Sequence, residues 1–231
     1  MKCCLLIAKS GPAAFLSHLE WSKAIERALR RSDLAITMTQ GFNRHFRISF
    51  NGALAVGEES AGEFVEVSFA QDYPQDEISE KLAPQLPRGM QLGGIAPVDG
   101  LIYKLIGNIQ LIGIKACVVI DYQQEMPWLG GRASDFLHDK KLIIEIERKS
   151  GAKNLPLSDY LHNFNLVSAE HGLIHLEMQI IFGSSGSIKP KEIASAFLRY
   201  AGIDTSVNSV HIHRQWNKIK VGEAFINPFG E

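Results

Sequence analysis

The chain has 231 residues, of which 45% are hydrophobic, 21% charged and 9% aromatic, with a formal charge of -1. This composition excludes a disordered chain and a collagen-like repeat, and no apolar run approaches the roughly 18 residues of a membrane helix. At roughly 100 to 150 residues per domain, two compact units are expected, each with its own core.

Residues 2–8 (KCCLLIA) read as a buried strand ended by Gly11-Pro12. A helix follows. Ser17 and Glu20 have capping-box spacing, and His18, Trp21, Ile25, Ala28 and Leu29 share one stripe that should face a sheet. Lys23, Glu26, Arg27 and Arg30 fall on the solvated side, Glu26 and Arg30 being spaced as a helical ion pair. AITMTQ, HFRISF and GEFVEVSF then alternate as half-buried strands. Within HFRISF, Phe46, Ile48 and Phe50 take one face, so His45, Arg47 and Ser49 share the other. Ile78, Leu82 and Leu86 mark a short amphipathic helix over 74–86, and QLGGIAPV returns as a strand. The order is βαββαβ, a ferredoxin-like unit over residues 1–98.

Residues 99–114 read as an ordered linker or short helix, too apolar for a free tether. A second unit over 115–218 has a strand at 115–122, a short helix at 128–138 and a strand at 141–148. An irregular connection leads to a strand at 173–182, a helix at 188–201 and a strand at 208–216. This is βαββαβ again, without residue-level repetition, and residues 219–231 form a tail. The expected fold is α+β, two tandem ferredoxin-like units.

Charge is uneven along the chain. Residues 1–50 carry eight basic and three acidic side chains, a balance of +5, and residues 51–100 carry two and nine, a balance of -7. The basic stretch suits phosphate, although neighbouring acids can neutralise it. Cys3, Cys4 and Cys117 allow no disulfide framework and no CxxC knuckle, and their apolar strand contexts predict inert thiols. The apolar stretch Cys3 to Ala8 is shorter than a secretion signal requires. A reduced, cytoplasmic protein is expected, with no cofactor, no metal and no iron–sulfur cluster on its own thiolates.

Residues 10–64 resemble the radical-SAM-associated (radical-SAM-linked) protein family, a domain of unknown function. The anchors are FLSHLE at 15–20, ERALRR at 26–31, QGFN at 40–43, His45, RISF at 47–50 and GEES at 57–60. GSSGSIKPKEI at 183–193 and HIHR at 211–214 are similar to its second half. The family pattern GFNPHP is altered, with Arg44 and Phe46 at the proline positions, so this loop should be less rigid than in relatives. Members are typically encoded beside, or fused to, a cobalamin-binding radical-SAM protein, and often near ribonuclease and ribosomal-protein genes. The resemblance therefore implies an accessory subunit in RNA or ribosome-related modification, whose partner supplies cluster and cofactor.

Several residue groups could carry chemistry. His18, near a helix N-terminus, fits either a neutral functional imidazole or a core histidine donating to a carbonyl. In QGFNRHFRIS, Gln40, Asn43, Arg44, His45, Arg47 and Ser49 fit an RNA phosphate, or equally a docking strand face for a protein partner. GSSGSIKP, with Lys189, fits an anion nest or plain helix capping. His211 and His213 lie on one strand, but His175 should stand two strands away, against metal binding.

The leading expectation is a non-catalytic RNA-binding or adaptor subunit that presents RNA or a ribosomal component to a radical-SAM partner. One alternative is a histidine-assisted endoribonuclease resembling CRISPR repeat-processing enzymes, with His18 and His45 as catalytic candidates. The glycine-rich loop of those enzymes is missing between the last helix and strand, where GIDTSVNS stands. The other is a protein-only scaffold. GEFVEVSF also lacks the basic residue and spaced aromatics of an RNA-recognition motif.

Overall fold

Period-2 alternation places Cys3, Leu5 and Ile7 on one face of the first strand, β1 (Lys2–Lys9), and all three are buried against helices. The computed structural model describes residues 1–50, 52–98, 110–121, 126–148, 151–182, 188–203, 210–221 and 223–229. The chain divides into two compact units, Met1–Asn108 with Asn217–Glu231, and Ile109–Trp216. The architecture is α+β. Among the described residues no helix is long and apolar enough to cross a membrane.

In the first unit β1 is followed by α1 (His18–Arg31), β2 (Ile48–Phe50), β3 (Glu59–Ser68), α2 (Gln75–Leu82) and β4 (Met90–Pro97). β1 lies between β4 and β3, antiparallel to both, and β2 pairs with the last part of β3. Trp21, Ile25, Ala28 and Leu29 of α1 join Ile78 and Leu82 of α2 in one core over this sheet. AITMTQ does not form a regular strand. Ile36 and Met38 make isolated bridges to Phe69 and Phe46, and the HFRISF strand shrinks to Ile48–Phe50. The reason is competition for the end of β3: Thr37 N–H donates to Ser68 O, Ser68 N–H to Arg47 O, and Arg47 N–H to Thr37 O.

The second unit has β5 (Gln110–Val119), α3 (Leu129–His138), β6 (Ile143–Arg148), β7 (Gly151–Pro156), β8 (Leu161–Glu170), β9 (Leu173–Phe182) and α4 (Pro190–Tyr200). The strand β10 (Val210–Val221) gives its first residues to this unit, where the order is β10-β5-β9-β8. The strand expected at 141–148 is therefore not the second strand of this sheet. It forms a separate hairpin with β7, and β8, inside the expected irregular connection, takes that place. His171 and Gly172, both at positive φ, make the tight turn that brings β8 back as β9. Phe136, Phe164 and Phe197 meet in the core, with ring centroids 4.9–5.5 Å apart.

Of the segment expected as a linker, residues 99–109 lie outside the described residues, and 110–114 belong to β5. The segment expected as a tail returns to the first unit. Asn217 Nδ2 donates to Gly62 O at 2.7 Å, β11 (Ala224–Ile226) pairs with the end of β10, and Phe229 packs on Phe64.

Candidate functional site

The capping box of α1 forms as its spacing requires. Ser17 Oγ accepts the Glu20 N–H at 3.3 Å, and the Glu20 carboxylate accepts the Ser17 N–H at 2.9 Å and its hydroxyl at 2.7 Å. This cap makes His18 the first helical residue. His18 is half-buried among rings, its centroid 5.8 Å from Phe50 and 6.2 Å from Trp21. His18 thus packs on core rings, and among the described residues its ring makes no hydrogen bond to a carbonyl.

Beneath this helix end lies a recess lined by Lys9, His18, Trp21, Gly52, Leu54 and Glu63. Lys9 continues the inward phase of β1, and Glu63 precedes Val65 and Val67 in the inward phase of β3. Both are charged and buried, at 1% and 3% exposure. Lys9 Nζ donates to Leu16 O at 2.9 Å. Burial holds the Lys9 ammonium below its ordinary pKa, against the opposing pull of Glu63 and Glu58. The Trp21 indole N–H is buried with no partner among the described residues. Neither Lys9, Trp21 nor Glu63 was singled out from sequence. The signal was there, as charged residues in the inward phase of two otherwise apolar strands.

The GEES motif explains itself as scaffolding. Gly57 takes φ +86°, its N–H donates to Ala14 O, Glu58 accepts from Ala55 N–H, and Glu59 accepts from Gly11 N–H at 2.8 Å. These bonds fix the turn before β3 against the segment leading into α1.

The QGFNRHFR loop stands in the same unit, leading into β2, whose Phe50 packs on His18 and Trp21. Thr39 and His45 close it: Thr39 N–H donates to His45 O at 2.8 Å, and His45 N–H to Thr39 Oγ1 at 3.1 Å. His45 Nδ1 lies 3.2 Å from both Thr39 Oγ1 and Asn43 O, so one imidazole nitrogen serves the loop itself. Gly41, at φ +116°, supplies the turn. The closure leaves Phe42 fully exposed at the tip, with Gln40, Asn43, Arg44, His45, Arg47 and Ser49 all exposed beside it. Sequence reasoning passed over Phe42, whose only signal was an aromatic inside a turn motif. Arg30 reaches over the Phe46 ring at 4.9 Å instead of pairing with Glu26. Among the described residues neither Arg44 nor Arg47 is in an ion pair.

Lys189 stands in the second unit, exposed, its N–H donating to Glu192 Oε2 at 2.8 Å ahead of α4. Residues 183–187 of the GSSGS segment lie outside the described residues. Lys189 also edges a groove between α4 and the β6–β7 hairpin, beside Glu145, Glu147 and Arg199. His175 faces Cys117 across β5 and β9 at 4.0 Å, while His213 pairs with Gln215 on β10, and β5 separates those two strands. No group of three metal-ligating side chains occurs among the described residues.

Residues 2–190 match the family described as an uncharacterized protein conserved in bacteria (DUF2344), and the chain belongs to that family. No curated protein matches it. Among solved structures, the crystal structure of an unknown protein from Galdieria sulphuraria is similar at 11% identity, over 92% of this chain and 97% of that one. The TM-score of that pair is 0.28.

Proposed function

We propose that this protein is an RNA-binding accessory subunit, which grips single-stranded RNA through the loop at 40–47 of its first unit. The supporting observation is the fully exposed Phe42 flanked by Arg44 and Arg47, which have no carboxylate partner among the described residues. An exposed ring stacks on any base, and free guanidinium groups take the adjoining phosphates in bidentate fashion.

Each unit is read as ferredoxin-like. Two helices pack on one face of the first unit's sheet, and the strand order β10-β5-β9-β8 in the second is that of a βαββαβ unit with its first strand central. The resemblance of FLSHLE, QGFN and RISF to the radical-SAM-linked family supports a cytoplasmic role beside a cobalamin-binding radical-SAM protein, with this chain holding the RNA.

Fluorescence anisotropy of a labelled, unstructured RNA tests the RNA contact: binding that weakens steeply from 50 to 200 mM salt is expected. Absence of binding at low salt, or binding indifferent to salt, refutes it. Copurification of a radical-SAM protein from nuclease-treated lysate tests the partnership, and its failure to appear removes that half of the proposal.

A further inference from the structure

The recess beneath α1 holds N–H groups that are short of acceptors. Trp21 Nε1 has none among the described residues, and Trp21 is only 4% exposed. The Lys9 ammonium spends one of three N–H bonds on Leu16 O. A buried donor without an acceptor is destabilising, so a site that keeps several of them invites a ligand acceptor.

Charge selects the kind of acceptor. Glu63 shares the wall with Lys9, and Glu58 acts on the same ammonium. A phosphate or carboxylate would meet those two carboxylates, whereas a neutral carbonyl oxygen satisfies Trp21 and Lys9 without adding charge. Space selects its size. The recess is narrow, so one oxygen atom enters and the rest of its molecule stays outside. The rings of His18 and Trp21 line it, with Phe50 packed on both.

We propose that this recess is a nucleobase subsite, where the exocyclic carbonyl oxygen of an unpaired uracil, cytosine or guanine accepts from the Trp21 indole N–H and the Lys9 ammonium. The proposal rests on the RNA-binding reading and adds a base preference to it, since phosphate contacts position RNA and base edges specify it. Adenine has no carbonyl oxygen and is rejected, leaving the donors unpaired.

The test is an NMR titration of the ¹⁵N-labelled full chain with uridine, cytidine, guanosine and adenosine. The indole cross-peak of Trp21 is assigned by its loss in Trp21→Phe, or by elimination with Trp128→Phe and Trp216→Phe should that variant not fold. A saturable shift with the first three nucleosides and none with adenosine is expected, and Lys9→Met should weaken uridine binding about tenfold. An unmoved peak with all four overturns the subsite, and an equal shift with adenosine overturns the carbonyl assignment. The same sample is tested for RNA binding by anisotropy. RNA binding with an unmoved indole leaves the RNA proposal standing without the subsite, and a shifted indole without RNA binding does the reverse.

Discussion

Replacing Arg44 and Arg47 by alanine separates electrostatic grip from stacking in the loop at 40–47. Both guanidinium groups are exposed and, among the described residues, in no ion pair, so each can neutralise one phosphate. On a single strand each contact contributes roughly 0.7 to the slope of log affinity against log salt, so losing both lowers the slope by roughly 1.4. Between 50 and 200 mM salt, a fourfold change, the wild type should then lose roughly sevenfold more affinity than the double variant. Phe42→Ala should act differently. Losing one stacked base costs about 1–3 kcal/mol, or roughly 5- to 150-fold, at every salt concentration, with the slope unchanged. Anisotropy titrations of wild type, Arg44→Ala/Arg47→Ala and Phe42→Ala against one unstructured RNA read both quantities. Identical slopes in wild type and the double variant, or a Phe42→Ala affinity equal to wild type, would refute this division of labour.

Other consequences follow from packing and protonation. Phe136 is fully buried among Phe164, Phe197 and Tyr200, so Phe136→Ala should cost about 3–5 kcal/mol in urea unfolding, and a loss below about 1 kcal/mol would show that the cavity collapses. The Ser17 hydroxyl and then its backbone N–H hold the Glu20 carboxyl below its ordinary value of 4.5. Because the folded value is the lower one, that stabilisation is present above pH 4.5 and lost as pH falls through the folded value, so wild type and Glu20→Ala should differ in thermal stability at neutral pH and converge in acid. Burial, with Glu66 adding to it, pushes the Cys4 thiol up to about 12, and burial also raises Cys3. Ellman's reagent at about pH 8 should leave both unmodified in the native protein and label them on denaturation, and rapid native labelling would contradict their burial.

The parts of the fold legible in the sequence are those decided within a few residues. The Ser17–Glu20 capping box and the Trp21, Ile25, Ala28, Leu29 stripe depend on helix geometry alone, and both stand where the spacing puts them. β8 was hidden because LHNFNLVSAE mixes polar and apolar residues without a clean period. Pairing with β9 and the packing of Phe164 on Phe136 make it a strand, and both partners are distant in sequence. The strand 143–148 was legible as a strand, but its assignment to the hairpin with β7 was not, since alternation names no partner.

The candidate site divides along the same line. Sequence by itself placed a turn at Gly41 and Asn43 and, by alternation, set His45, Arg47 and Ser49 on the face opposite Phe46, Ile48 and Phe50; the first three are exposed and the last three half-buried. Only the tertiary structure decided that Lys9 and Glu63 share a wall with His18 and Trp21. Lys9 keeps its inward phase through a register shift between Ile7 and Lys9, and its buried ammonium is tolerated because the Leu16 carbonyl and the carboxylates of Glu63 and Glu58 arrive from other segments. A charge in an apolar phase is a question that local geometry poses, and partners brought by folding answer it.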